Sequence, residues 1–139
     1  MTDFILLGTD TDAGKTTFAL LWLARYGDRC AYWKPVESGP SDSDAIARLV
    51  PGVRVHPPIL RFAESAAPSL AASREDRVIP TAETFSRPAS GPLLIETFGG
   101  PFSPLNETEL QVELIERWKS PTVLACRSTV GAVGRTWST

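Results

Sequence analysis

Histidine and cysteine are nearly missing from this chain of 139 residues, which holds one His and two Cys. Cys30 and Cys126 lie far apart and match no metal or redox spacing, so both are expected to be reduced core residues of a cytoplasmic protein. The lone His56, in "RVHPPIL", reads as a turn or surface residue rather than a catalyst. No apolar run approaches the length of a membrane span. The opening "MTDFILLG" lacks a basic leader, and its apolar run is only four residues, so no signal peptide is expected. A basic excess is missing too. The 14 Lys and Arg face 16 Asp and Glu, for a net charge of −2. That balance excludes a nucleic-acid partner and a polybasic membrane contact. No internal repeat is visible.

What is present is a strand–helix alternation suited to one domain over residues 1–139. "FILL" reads as a buried strand and Lys15 to Tyr26 as a helix stopped by Gly27, with Phe18, Leu20, Leu21, Leu23 and Ala24 as its apolar face. "CAYWKPV" is a second strand cut off by Pro35. "SDSDAIARLV" is a short helix with Ser or Asp as its cap, Asp42 among the contenders. The Pro-, Ser- and Ala-rich middle yields a strand-like or loop piece near 53–62 and two short helices near 68–74 and 81–87. Leu93 to Glu96 is a buried strand. "NETELQVELIERWKS" is an amphipathic helix opening on an Asn cap, its charges a solvated face. "TVLACR" is another buried strand, and "GAVGRTWST" begins a further helix. The four tryptophans are expected in core or interface packing. Because the strands are continuous apolar runs, both sheet faces should be covered. The pattern is that of a doubly wound, mostly parallel α/β sheet with a phosphate-binding loop, like P-loop NTPases, and the last βα units are expected to be missing.

"GTDTDAGKTT" behind the first strand carries the chemistry. A strand, a glycine-containing loop and a helix opening on Lys-Thr aim backbone N–H groups and a helix dipole at an anion. Asp12, Ala13, Gly14, Lys15, Thr16 and Thr17 are the ATP-binding candidates. Lys15 can reach β- and γ-phosphate oxygens and the Thr16 hydroxyl can serve Mg2+. Five residues separate Gly8 from Gly14, one more than the strict phosphate-loop pattern allows. Asp10 and Asp12 are acids where polyphosphate should bind, which calls for an explanation. Glu96 ends a buried strand, where an acid can hold Mg2+. "WKPVESG" sets Lys34 and Ser38 at the C-terminal edge of the second strand, the ligand-binding edge of such sheets. Asp44 is a further metal candidate.

Together "GTDTDAGKT", "YWKPVESG" with "SDSDA", and "IETFGGPFSPL" resemble the dethiobiotin synthetase family in order and spacing. "FAESAAPSLAA" and "SPTVLACRSTVGAVGRT" extend the similarity over essentially the whole chain. The resemblance implies a P-loop homodimer that closes the ureido ring of dethiobiotin, in biotin biosynthesis, from 7,8-diaminopelargonate, CO2, ATP and Mg2+, through a carbamate and a carbamic-phosphoric anhydride. It also implies roles. Thr16, Asp44 and Glu96 match metal positions. Lys15 and Lys34 match lysines that neutralise carbamate and phosphate charge. Thr11 and Ser38 match substrate-side hydroxyls, and Gly99 and Gly100 match glycines close to substrate. Gly131, Ala132, Val133 and Gly134 match a helix N-terminus that receives the substrate carboxylate across the dimer. Asp12 would then steer a substrate amine beside the γ-phosphate, which accounts for an acid in the loop, while Asp10 would hold loop geometry by an Asx-type hydrogen bond.

The chain departs from the family's pattern in four places. Asp12 is one methylene shorter than the usual Glu. "ETFGG" places Phe98 where a small residue is usual, and its Glu-Thr is similar to the synthetase half of fused biotin enzymes. Gly134 stands where Asn is frequent. The adenine-recognition segment of the family lies beyond Thr139. Two other readings follow: another P-loop amidoligase or kinase, or a truncated or degenerate nucleotide-binding module without turnover.

Overall fold

The computed structural model describes residues 1–89 and 91–139. Five parallel strands form the central sheet in the order β4-β2-β6-β1-β7: β1 is Phe4–Gly8, β2 Ala31–Trp33, β4 Val55–His56, β6 Leu93–Glu96 and β7 Thr122–Ala125. The acid-bearing β6 lies between β1 and β2, with Leu6 level with Glu96 and Tyr32 level with Leu94. All C-terminal strand ends therefore open on one edge, the edge that binds ligands in such sheets.

Alternation within each strand feeds two cores. Ile5, Trp33, Leu93 and Ile95 face one side, packed with Leu114 and Trp118 of α4 (Gln111–Trp118) and with Ala71 and Ala72 of α3 (Pro68–Arg74). Phe4, Leu6, Tyr32 and Leu94 face the other, against Ala19 and Leu23 of α1 (Lys15–Tyr26) and Ile46 of α2 (Asp42–Leu49).

Several sequence expectations shift. The buried stripe of α1 runs through Lys15, Ala19 and Leu23, one turn apart each, while Leu21 is exposed. Pro35 interrupts the second strand, but the chain resumes as β3 (Val36–Ser38), which pairs in parallel with β5 (Leu60–Phe62) to make a second, two-stranded sheet. The segment expected as a helix over 81–87 holds only a 3-10 turn, Ala82–Thr84. Asn106 does not cap α4. Its side chain instead accepts from the Thr108 and Glu109 N–H groups in the preceding turn, and Leu110 takes the cap position. Ser41 caps α2 by accepting from the Asp44 N–H. Sheet coverage stops short of β7, where Val123 is exposed. Cys30 is buried but Cys126, just past β7, is only partly so, and both are free thiols. Trp137 of α5 (Ala132–Ser138) lies outside the core, exposed on the single chain. Among the described residues no helix is long and apolar enough to cross a membrane.

Candidate active site

Residues 9–14 connect β1 to α1 in a loop that turns on two left-handed residues, Asp12 (φ 58) and Gly14 (φ 99). Gly14 takes this conformation without the strain a side chain would add, and from it α1 begins, the Phe18 N–H bonding the Gly14 carbonyl at 2.9 Å. The first helical residue, Lys15, is buried and folds back under the loop. Its ammonium donates to the carbonyls of Asp10 and Gly99, each at 3.1 Å, tying the loop after β1 to the loop after β6. Gly8 leaves the space for this. A Cβ there would lie 2.8 Å from Lys15 Nζ and 2.9 Å from the Asp10 carbonyl oxygen.

Behind Lys15 is an ionic cluster. Glu96, fully buried, receives three donors: Thr16 Oγ1 at 3.0 Å and Lys34 Nζ at 3.3 Å on Oε1, and the Tyr32 hydroxyl at 3.0 Å on Oε2. Asp42 Oδ1 lies 3.0 Å from the same Thr16 Oγ1, whose single proton serves one of the two carboxylates at a time, and Asp42 is ion-paired with Lys34. Burial alone would depress the Lys34 pKa, but the Glu96 and Asp42 carboxylates overcome it and hold the ammonium above its ordinary range. Lys15 goes the other way. Burial lowers its pKa first and the Lys34 charge lowers it further, against weaker opposition from Glu96, Asp42 and Asp10.

The acids of the sequence-derived metal set are not all brought together. Asp44 points away from this cluster, largely exposed and ion-paired with Arg61. Asp42, two residues earlier, is the helix acid that faces the cluster. The difference follows from the register of α2: Ser43 and Ile46 are its buried positions, and Asp42 meets Thr16 of α1. Thr16, Asp42 and Glu96 are hard oxygen donors already gathered around a cation, the Lys34 ammonium, so the donor set suits Mg2+. With only two carboxylates it leaves positions for water and phosphate oxygens, as a nucleotide-bound Mg2+ requires.

The cleft above the cluster measures ≈ 640 Å³. Thr11, Asp12, Gly14, Lys15, Thr16, Thr17, Lys34, Ser38, Asp42, Glu96 and Gly99 all reach it. Ala13 is buried behind the loop rather than on its surface. The Ser38 hydroxyl is committed to the Ala66 carbonyl at 2.7 Å, on the far wall formed by residues 65–68. Gly100 does not line the cleft; its N–H donates to Ser103 Oγ and its carbonyl accepts from Gln111. Asp10 bonds the adjacent Thr11 N–H at 2.7 Å, a tighter local contact than an Asx turn. Gly131, Ala132, Val133 and Gly134 stand apart from the cleft at the exposed start of α5.

Three participants escaped the sequence reading. Tyr32 supports Glu96 from behind. Gln111, buried at the start of α4, clamps the loop after β6 by bonding both polar groups of Phe98 and the Gly100 carbonyl. This is how Phe98 is accommodated: its ring joins the core. Arg127, past the end of β7, donates to the Asp12 carbonyl at 2.7 Å and lies 3.8 Å from its carboxylate. Their common signal is a polar group within an otherwise apolar or strand-terminal position, which one sequence does not separate from ordinary packing.

A buried lysine under a loop at the end of a central parallel strand, with a hydroxyl and a neighbouring-strand acid beside it, defines a P-loop nucleotide-binding domain. In keeping with this, a family model described as an AAA domain matches residues 2–139. The ATP-dependent dethiobiotin synthetase BioD of Paramagnetospirillum magneticum is 36% identical over 142 residues, an alignment covering 100% of this chain and 68% of that protein. That of Sphingopyxis alaskensis is 36% identical (96% and 65% covered), and that of Afipia carboxidovorans 40% identical (95% and 65% covered). The chain belongs to the dethiobiotin synthetase family. It spans roughly two thirds of the length of these relatives.

Proposed function

We propose that this chain carries out the ATP- and Mg2+-dependent ring closure of 7,8-diaminopelargonate with CO2 to dethiobiotin. The observation that carries the reading is the convergence of Lys15, Lys34, Thr16 and Glu96 on one cleft, in a chain whose relatives bear that enzyme's name. One substrate amine adds to CO2 and loses a proton, giving a carbamate. A carbamate oxygen attacks the γ-phosphorus of ATP and ADP departs. The second amine attacks the carbamoyl carbon, and phosphate leaves as the ring closes.

The side chains divide this work. Lys15, freed from the Asp10 and Gly99 carbonyls, compensates phosphate charge, and the loop N–H groups of residues 12–17 cradle it. Lys34, kept protonated by its carboxylates, neutralises the carbamate and the transferring phosphoryl group. Thr11 offers a hydroxyl on the substrate side, and Ser38, whose proton goes to the Ala66 carbonyl, offers its oxygen as an acceptor. The exposed Asp12 carboxylate sits at the rim, where it attracts an amine without standing on the phosphate path. Thr16, Glu96 and Asp42 would hold Mg2+, which would supply charge neutralisation to the transferring phosphoryl group. A second copy of the chain would complete the site, its Gly131–Gly134 turn receiving the substrate carboxylate. The exposure of Val130, Val133 and Trp137 around that turn supports a covered surface there.

The test is phosphate release with ATP, Mg2+ and bicarbonate, with and without 7,8-diaminopelargonate. Diamine-dependent release with dethiobiotin formed is expected. Diamine-independent turnover would point to another P-loop kinase or amidoligase, and nucleotide binding without turnover to a binding module.

A further inference from the structure

Tyr32 is completely buried, yet its hydroxyl does not point into the apolar core around it. It reaches across the sheet. Tyr32 is level with Leu94 in the parallel pair of β2 and β6, so Glu96, two residues on, projects from the same face. The phenol spans that diagonal and donates to Glu96 Oε2 at 3.0 Å. The two oxygens of one carboxylate are thereby given different tasks. Oε2 is engaged from behind by Tyr32, while Oε1 alone meets Thr16 and Lys34 on the cleft side.

We infer that Tyr32 is a positioning residue that restricts Glu96 to one-oxygen coordination and so sets the preference of the site for Mg2+ over Ca2+. The inference rests on the reading above that Glu96 helps hold the catalytic cation. Its physical basis is coordination geometry. Mg2+ is small and demands six oxygens in near-octahedral order, each carboxylate giving a single oxygen. Ca2+ takes up to eight ligands and readily accepts a carboxylate through both oxygens. A Glu96 whose second oxygen is held by a buried phenol must weaken or give up that hydrogen bond to offer both. Partners behind a metal ligand also fix its orientation, and their loss weakens metal binding by about 10- to 100-fold.

The experiment measures divalent-ion binding rather than turnover. Mn2+ binding to the chain with a non-hydrolysable ATP analogue is followed by electron paramagnetic resonance, with Mg2+ and Ca2+ as competitors, for the native chain, Tyr32→Phe and Glu96→Gln. Nucleotide binding in EDTA and thermal unfolding are recorded alongside. For Tyr32→Phe the expected result is Mg2+ affinity reduced at least about tenfold, a markedly smaller Mg2+/Ca2+ affinity ratio, and unchanged nucleotide binding in EDTA. A merely structural tyrosine would lower the melting temperature without moving the ratio, and that outcome overturns the inference. Loss of Mn2+ affinity in Glu96→Gln with full affinity and ratio kept in Tyr32→Phe overturns the role of Tyr32 alone. Undiminished Mn2+ affinity in Glu96→Gln removes Glu96 from the cation site and overturns both readings. Should Tyr32→Phe fold poorly, Tyr32→Met, which fills the core without a hydrogen-bond donor, carries the same expectation.

Discussion

Lys34 Nζ stands 3.3 Å from Glu96 Oε1, and the same ammonium is ion-paired with Asp42. The lysine thus fills the focus of the oxygen donors assigned to a metal. A divalent ion entering there must displace it, which would turn Lys34 toward the cleft where carbamate and phosphate charge develop. Lys34→Met is therefore expected to bind Mn2+ more tightly than the native chain without nucleotide. The gain should be about tenfold or more, since one repulsion between unit charges at 4 Å is on the order of 4 kcal/mol even at an effective dielectric of 20. Phosphoryl transfer should nonetheless be suppressed, with nucleotide binding kept. Lys15→Ala, by contrast, should lose phosphoryl transfer and nucleotide affinity together. Equal loss of ATP binding in the two variants, measured by calorimetry, would contradict this division.

Asp42 and Asp44 lie two residues apart on one helix but have opposite surroundings. Asp42→Asn is expected to reduce metal-dependent nucleotide turnover by roughly tenfold or more, as losses at metal sites do. Asp44→Asn should leave it near the native rate, because it removes only an exposed pair with Arg61. Steady-state kinetics against Mg2+ concentration decide the matter. A large defect in Asp44→Asn with a native-like Asp42→Asn would instead support the assignment made from sequence.

That pair also marks what the sequence could reveal. The phosphate loop was legible because strand, glycine, lysine and hydroxyl are contiguous. Glu96 was legible because an acid ending an apolar run is conspicuous. Choosing between Asp42 and Asp44 depended on the rotation of α2, which a single acidic stretch does not specify. Tyr32 reads from sequence as one more apolar strand residue, since its partner lies 64 positions away. The β3–β5 pairing was hidden for a related reason: Pro35 signals a strand end, and nothing local shows that the chain resumes pairing with residues 60–62.

Arg127 connects β7 to the tip of the phosphate loop. Asp12 holds a left-handed backbone without being glycine, which costs on the order of 1 kcal/mol, and the guanidinium bond to its carbonyl offsets that strain. Arg127→Ala is expected to raise the KM for ATP roughly fivefold, the equivalent of ~1 kcal/mol, with little change in thermal stability. A combined Asp12→Gly, Arg127→Ala chain should recover ATP affinity, because glycine needs no help to keep the turn. Absence of recovery would mean that Arg127 acts on the nucleotide rather than through Asp12.

His56 provides a pH probe because it is the only histidine. Partial burial, with a smaller contribution from the Arg54 charge, lowers its pKa below the ordinary 6.5. A base whose folded pKa is depressed binds fewer protons in the native state than in the unfolded one. Its contribution therefore favours the native state less as pH falls through 6.5 toward the folded pKa. The imidazole C2 proton should titrate below 6.5 in NMR, and Arg54→Ala should move the midpoint upward. A midpoint at or above 6.5 would contradict the packing of β4.

The placement of β6 between β1 and β2 has a consequence for folding order. Phe4 is paired with Leu94, so the phosphate-loop strand finds its neighbour only after some ninety residues of intervening chain have been ordered or looped out. Closing loops of that length is entropically slow, and topologies dominated by such distant pairings fold later than local ones. During synthesis the loop emerges early but lacks Glu96 until β6 follows. Nucleotide and metal can therefore recognise only a chain whose central sheet is already assembled, and protection of the Glu96 amide against hydrogen exchange should be in place before ligand binding rather than arise with it.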